Sequence, residues 1–232
     1  MSNINLPDYC KPAPKHPKFR YEECYAKYLL EYLYPTIYSD LLIQDRPDIY
    51  DGKNDIGIEV TEAVEQDFKE SHELWLDLPQ KAPEEQEKSI KRMEKLGYPY
   101  TGIIQSWPCQ CLDKGIDSDV FEPIFTAYIK KLKRLNDGTY KLCKSYYLVL
   151  LLNCSFRTDW YTDCYRRMKE LETEYGETYE KIYMQSGSYV IELDFKTDTI
   201  QKYSISAEMN EDIISQADYL SRYGIEKRKE TP

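Results

Sequence analysis

Two acidic residues, Asp48 and Glu59, lie on either side of a turn-forming segment, and their spacing has a chemical consequence. Strand-forming runs flank the segment 51–54, Asp-Gly-Lys-Asn, which is typical of a hairpin turn. In an antiparallel pair, opposed residues have numbers with a constant sum. A turn centred between Lys53 and Asn54 therefore places Asp48 directly opposite Glu59 on the neighbouring strand.

This expected pair of carboxylates is a candidate site for a divalent cation. Opposed side chains stand roughly 5 Å apart at their Cβ atoms, so the two carboxylates repel unless a positive charge lies between them. Mg²⁺ takes oxygen ligands and accepts one or two carboxylates together with water. Thr61 is expected on the same face as Glu59, because strand residues two apart point to the same side. In the other interpretation Asp48 only caps a turn, and Asp51 or Asp55 is the better partner.

The same segment resembles the motif of the PD-(D/E)XK nuclease superfamily. Pro47-Asp48, ten intervening residues and Glu59-Val60-Thr61 are similar to that family's pattern of Pro-Asp, a variable span and (Asp/Glu)-x-Lys. The resemblance covers residues 20–77, where a helix bearing Glu residues precedes the hairpin and helices follow it. It implies an α/β fold of the restriction-endonuclease-like type, with a mixed sheet flanked by helices.

The resemblance also implies a role for each matched residue. Asp48 and Glu59 match the metal ligands, and the carbonyl of Val60 would be a third ligand. The implied cofactor is Mg²⁺ or Mn²⁺. The helix before the hairpin commonly supplies a further acid in this family, which we assign to Glu23, with Glu31 as the alternative.

The sequence departs from the family at position 61, where Thr61 stands in place of the motif lysine. That lysine would orient the attacking water and stabilise the charge that develops on the phosphate. A threonine hydroxyl can donate a hydrogen bond but adds no positive charge. Either a lysine arrives from elsewhere or catalysis is impaired. Lys53 lies at the far end of the hairpin, whereas Lys130 or Lys131 is a candidate from a predicted basic helix.

Residues 127–144 form the one strongly basic block of an acidic chain, with six Lys or Arg residues and one Asp. The formal net charge of −10 argues against a protein coated with basic surface for nucleic acid, but leaves room for a local basic groove. Apolar residues recur at helical spacing over 121–135, and the basic residues of this segment are expected on the opposite face. The expected contacts with a phosphate backbone are Lys130, Lys131, Lys133, Arg134, Lys141 and Lys144.

The remaining pattern predicts a single α/β domain over residues 19–232, preceded by an extended, proline-rich arm at 1–18. Besides the basic helix, helices are expected at 21–34, 62–76, 83–96, 157–175 and 208–222. Besides the hairpin, strands are expected at 40–43, 101–107, 145–153, 181–185, 189–195 and 199–206.

Cysteine usage and hydropathy favour the cytoplasm. The seven cysteines are an odd number without the spacing of a disulfide framework, and no signal peptide or membrane span is visible. Cys109 and Cys111 form the one close pair, but too few further ligands accompany them for a structural zinc. The chain has two histidines, His16 and His72, so carboxylates rather than imidazoles are expected to perform any chemistry.

Three functional hypotheses follow, and they differ in what the two acids do. In the first, a metal-dependent nuclease hydrolyses phosphodiester bonds of nucleic acid, using Asp48 and Glu59. In the second, a catalytically impaired member of the same fold binds nucleic acid or a protein. In the third, the chain is an interaction protein without a site, and acids that point to opposite faces of the hairpin would support this hypothesis against the other two.

Overall fold

The computed structural model describes residues 17–78, 81–104, 107–110, 121–152 and 160–226, which form an α/β structure. In this part of the chain, a seven-stranded mixed sheet is flanked by six helices. The helices are α1 (Tyr21–Leu33), α2 (Gln66–Asp77), α3 (Pro83–Lys95), α4 (Glu122–Leu135), α5 (Trp160–Glu172) and α6 (Ala207–Tyr223). The strands are β1 (Leu42–Ile43), β2 (Ile49–Asp51), β3 (Ile56–Ala63), β4 (Tyr100–Ile104), β5 (Trp107–Gln110), β6 (Ser145–Leu152), β7 (Lys181–Ser186), β8 (Tyr189–Asp194) and β9 (Thr199–Ser204).

The order of the sheet places the predicted hairpin next to its central strands. The order is β1-β2-β3-β6-β7-β8-β9, and β4 and β5 form a separate two-stranded hairpin. Strands β3, β6 and β7 are parallel to one another, while the outer pairs are antiparallel. A parallel pair needs a long crossover connection, and the connection from β3 to β6 contains α2, α3, the β4–β5 hairpin and α4. The strand that carries Glu59, β3, is therefore paired on both sides, with β2 and with β6.

Each face of the sheet has its own apolar core, which follows from the alternation of side chains along a strand. On one face, Val149 of β6 belongs to the same buried cluster as Leu29 of α1 and Ile213 of α6. On the other face, Leu148 belongs to the cluster that contains Leu132 of α4 and residues of α5. Strand β6 is apolar along nearly its whole length because both of its faces are covered.

Most predicted elements are present, with differences at their ends. The helix predicted at 62–76 begins too early, because Glu62 and Ala63 continue β3 and pair with Leu151 and Leu152 of β6. Pairing with a distant strand decided this boundary, which local propensity does not register. The strand predicted at 101–107 spans Tyr100–Ile104, and a second strand, β5, pairs with it.

Some expectations concern residues outside the described ranges. The predicted N-terminal arm at 1–18 lies there except for its last two residues, and so does His16. Of the Cys109–Cys111 pair, Cys111 lies outside the described ranges as well. Among the helices that are described, none is long and apolar enough to cross a membrane.

Gly57 of β3 lies close to Pro47, just before β2, and to Tyr146 of β6. This close packing provides a test of the hairpin geometry. A Cβ atom at position 57 would lie 3.0 Å from Pro47 Cγ, 3.0 Å from a ring carbon of Tyr146 and 3.2 Å from Cys143 Sγ. Because overpacking a filled site costs about 1–3 kcal/mol, we expect Gly57→Ala to lower the free energy of unfolding by about that amount, measured by urea denaturation.

Gly52→Ala is the matched control, because the nearest atom to its added Cβ, on the Tyr50 ring, lies at an ordinary contact distance of 3.4 Å. We expect this control to change the free energy of unfolding by less than about 0.5 kcal/mol. Equal stability of the two variants would contradict the close packing of Pro47 and Tyr146 around Gly57.

Candidate functional site

The hairpin has the register that the sequence predicts. Ile49 of β2 pairs with Ile58 of β3, so Asp48, just before β2, is opposite Glu59. Asp48 Oδ2 accepts a hydrogen bond from the Val60 amide at 2.8 Å, and the Asp48 amide donates to Glu59 Oε1 at 3.3 Å. The two acids therefore lie on the same face of the hairpin, and the opposite-face arrangement that would have supported the third hypothesis is not observed.

Asp51 and Asp55, the alternative partners, serve the turn instead. Asp51 Oδ1 accepts hydrogen bonds from the amides of Lys53 and Asn54, at 3.0 and 3.2 Å. Asp55 Oδ2 accepts a hydrogen bond from the Lys144 amide at 3.2 Å. The hydrogen bonds of Asp51 cap the turn, and that of Asp55 ties the hairpin to the residue before β6. Both carboxylates are therefore occupied at the far end of the hairpin.

Lys131 of α4 inserts its ammonium group between the two carboxylates. Its Nζ lies 3.0 Å from Asp48 Oδ2 and 2.5 Å from Glu59 Oε2. Glu59 is 1% exposed and Lys131 is 6% exposed, so this ion pair is buried. The Tyr179 hydroxyl donates to the Lys131 carbonyl at 3.2 Å, which holds the helix at this point. A lysine thus reaches the acids from a different element, in the absence of a lysine at Thr61.

The sequence prediction that Lys131 lies on the outer face of its helix is wrong. Lys131 follows Ile124 by seven residues and Tyr128 by three, and it precedes Leu135 by four. These spacings place it on the buried stripe of the helix. The periodicity contained the signal, but a lysine is almost never fully buried unless it is paired. Lys131 is buried because its two acidic partners, Asp48 and Glu59, lie beside it.

Burial dominates the electrostatics of Glu59. Loss of solvent raises the pKa of the Glu59 carboxyl, and the nearby charge of Asp48 acts in the same direction. The positive charge of Lys131 and hydrogen bonds from Lys131 and Tyr140 oppose that shift. The ammonium group of Lys131 therefore opposes the rise in the pKa of Glu59 that burial and Asp48 cause.

Glu23 is the helix acid that lies close enough to the pair to interact with it. Burial, and next the charge of Asp48, raise the pKa of Glu23 to about 7. The alternative, Glu31, is engaged elsewhere: it accepts hydrogen bonds from Lys27 at 2.5 Å and from the Leu41 amide at 3.2 Å. Of the two candidates, Glu23 is the one whose ionisation depends on Asp48.

A cleft of about 910 Å³ opens next to this ion pair. Thr61 and Val60 of β3 line it together with residues at the start of α2, while Lys131 lines it from α4. Neither Asp48 nor Glu59 is among the residues that line it. Lys131 is therefore the residue that both lines the cleft and contacts the two carboxylates.

Apart from Lys131, the predicted basic residues divide into three groups. Lys130 and Arg134, one helical turn apart, are exposed and line the cleft. In the part of the chain that the structure describes, neither has a carboxylate within ion-pair distance. Lys133 is exposed but does not line the cleft. Lys141, whose Nζ lies 3.5 Å from the centre of the Tyr50 ring, and Lys144 lie near the turn of the hairpin.

The oxygen atoms beside Lys131 are of the kind that a hard divalent cation takes as ligands. Two carboxylates and a strand carbonyl, with water, match the ligands that Mg²⁺ takes in proteins. The amide of Val60 points to Asp48, and in an antiparallel strand the carbonyl of a residue points to the same edge as its amide. Within the described ranges, no group of three or more His, Cys, Asp or Glu side chains is arranged to hold a metal ion. Any cation here would thus have two protein carboxylates.

Comparison with known proteins does not add to this geometry. No protein-family model matches the chain, and neither a curated protein nor a solved structure matches it. The residues of the ion pair and the cleft are therefore the basis on which a function is inferred.

The buried ion pair predicts a large effect of removing its cation. Lys131→Met retains much of the side-chain volume but leaves Asp48 and Glu59 without a counter-ion. Because breaking a buried ion pair by removing one partner costs roughly 3–5 kcal/mol, we expect a loss of that size in the free energy of unfolding. Urea denaturation in the presence of EDTA measures it.

Lys130→Met is the matched control, since it removes an exposed lysine one position earlier on the same helix. It should change the free energy of unfolding by no more than about 0.5 kcal/mol. A Lys131→Met variant as stable as Lys130→Met would show that the ion pair contributes little.

The raised pKa of Glu23 predicts a pH dependence of stability with a defined sign. Between its ordinary pKa of 4.5 and about 7, the folded state retains a proton that the unfolded state has released. The free energy of unfolding therefore decreases as the pH rises through this window. Glu23→Gln should remove this contribution and give a flatter profile in urea denaturation from pH 4.5 to 7.

Glu172, whose pKa burial also raises to about 7, contributes a slope of the same sign, and it is unchanged in the Glu23→Gln variant. The informative quantity is thus the difference between the two profiles. Parallel profiles would contradict the shift at Glu23.

Proposed function

We propose that the chain is a metal-dependent nuclease that hydrolyses phosphodiester bonds of nucleic acid. In this proposal Asp48, Glu59 and the carbonyl of Val60 hold Mg²⁺ or Mn²⁺, and Lys131 replaces the lysine that the family motif has at Thr61. The observation that supports the proposal is the contact of the Lys131 ammonium with both carboxylates, at 3.0 and 2.5 Å. It brings the charged groups of such a site together although the sequence motif lacks one of them.

Each side chain has a role that its position allows. When bound, the divalent cation would lower the pKa of a water molecule and neutralise charge on the scissile phosphate. Lys131, which borders the cleft, supplies positive charge where an oxyanion develops. Glu23, with a pKa of about 7, is able to accept or release a proton near neutral pH.

The cleft supports a nucleic-acid substrate through its unpaired cations. Lys130 and Arg134 project from one wall, and phosphates are their natural partners. None of the described residues that line the cleft is aromatic, so base stacking is not the expected mode of binding. The substrate is therefore held mainly by its backbone, without a strong preference for sequence.

A second candidate function, a binding module without turnover, is favoured by the same ion pair. Lys131 contacts both acids without any metal, and it lines the cleft whereas the two acids do not. If this arrangement is permanent, the cleft binds a phosphate backbone and cleaves nothing. The two functions differ in one measurable property, the cleavage of a bound strand.

A rescue experiment tests the proposal. Plasmid and single-stranded DNA and RNA are incubated with wild-type protein in Mg²⁺ or Mn²⁺, and the products are resolved on gels. We expect cleavage by the wild type and a reduction of about 10²–10³-fold in Lys131→Met, the usual effect of losing one charge-stabilising donor. Adding Thr61→Lys to that variant should restore a substantial part of the rate, because position 61 borders the same cleft.

Asp48→Asn and Glu59→Gln should each abolish cleavage, while Lys95→Met, exposed at the end of α3 and away from the cleft, should leave it unchanged. Wild-type cleavage that Glu59→Gln preserves would point to a contaminating nuclease and end the proposal. Binding of strands without cleavage in either metal would instead support the binding module.

A further inference from the structure

Lys131 lies at the boundary of two different environments. On one side its Nζ contacts Asp48 Oδ2 and Glu59 Oε2, the oxygen atoms that would hold a cation. On the other side its side chain lines the cleft, beside Lys130. A lysine has a flexible four-carbon stem and three donors on a compact charge, so the same ammonium can serve either side. The ammonium cannot keep its contacts with both carboxylates when a metal ion lies between them, because two cations between the same oxygens repel.

We infer that Lys131 couples the two ligands of the site, so that a divalent cation and a phosphate-bearing strand bind cooperatively. In the free protein the ammonium occupies the carboxylates and competes with the cation. A phosphate that Lys130 and Arg134 hold in the cleft offers Lys131 an alternative partner. When Lys131 turns to that phosphate, Asp48 and Glu59 become available to the cation. Each ligand thereby removes an obstacle to the other.

The charges of the cleft explain why the strand, rather than the cation alone, should move Lys131. Two other cations that line the cleft are already paired: Lys69 Nζ lies 2.7 Å from Glu62, and Arg20 lies 3.7 Å from Glu23. Lys130 and Arg134 have no such partner in the described ranges. A phosphate is thus attracted to the wall of α4, where Lys131 is the next cation.

This inference rests on the proposed function for the identity of the two ligands, but its readout is binding and not cleavage. By linkage, the factor by which the strand increases the affinity for the cation equals the factor by which the cation increases the affinity for the strand. A coupling that depends on Lys131 distinguishes this device from simple bridging of a phosphate by the metal. In bridging alone, removal of Lys131 leaves the coupling intact.

Isothermal titration calorimetry provides the test, with Ca²⁺ as the cation and a short single-stranded DNA oligonucleotide as the strand. Ca²⁺ is titrated into full-length protein with and without the oligonucleotide at fixed ionic strength, and a titration into the oligonucleotide alone is subtracted. For the wild type, we expect the strand to increase Ca²⁺ affinity by roughly 5- to 150-fold, the usual range of coupling between two sites. A gel after each titration confirms that the strand is intact.

For Lys131→Met, we expect tighter Ca²⁺ binding than in the wild type without the strand, and little further increase when the strand is present. Lys95→Met, exposed at the end of α3 and away from the cleft, is the control and should behave as the wild type. Circular dichroism checks that each variant is folded. The wild-type comparison needs no variant, so the inference stays testable even if Lys131→Met fails to fold.

Equal Ca²⁺ affinity of the wild type with and without the strand would overturn the inference, and so would full coupling in Lys131→Met. Absence of Ca²⁺ binding in both proteins would overturn it as well. Coupling without any cleavage in Mg²⁺ or Mn²⁺ would support the inference and refute the nuclease proposal, whereas cleavage without coupling would do the reverse.

Discussion

A single buried ammonium group contacts one buried and one half-buried carboxylate, and the arrangement of the surrounding elements depends on this contact. Transfer of each charge from water costs several kcal/mol, which attraction repays only when the geometry is good and the remaining polar atoms are satisfied. Here Asp48 accepts the Val60 amide, Glu59 accepts the Asp48 amide, and Tyr179 binds the carbonyl of Lys131. Helix α4 can therefore take few other positions relative to β3 without leaving a charge unpaired.

The sheet makes this geometry possible because it fixes both partners of the lysine independently. The β2–β3 register places the two acids opposite each other, and pairing of β3 with β6 holds the strand that carries Glu59. Helix α4 is attached to the same face through apolar residues such as Leu132, next to Lys131 in sequence. Apolar packing thus positions the helix, and the ion pair selects the rotation of the helix that buries one lysine.

Local sequence patterns predicted the pairing of Asp48 with Glu59, whereas the burial of Lys131 depends on a contact between residues far apart in the sequence. The register of Asp48 and Glu59 followed from a short turn and the two-residue period of strands, which are properties of adjacent residues. Asp48 and Lys131 are 83 positions apart in the sequence. A lysine is predicted to lie on the surface unless its acidic partner is known, because unpaired lysines are almost never fully buried. The end of β3 at Ala63 was missed for a related reason, since its partner strand lies far along the chain.

The ion pair has opposite consequences for stability and for chemistry. An ammonium that satisfies Asp48 and Glu59 stabilises the free protein, yet it occupies the oxygens that a divalent cation requires. Sites that are adapted to function commonly retain such unfavourable groupings at the expense of stability. Glu23 also lies near the pair but has Arg20 at 3.7 Å, so Asp48 and Glu59 share the single charge of Lys131. In the proposed function, a metal therefore has to compete with Lys131 for the oxygens of Asp48 and Glu59, and a second anion in contact with Lys131 would weaken that competition.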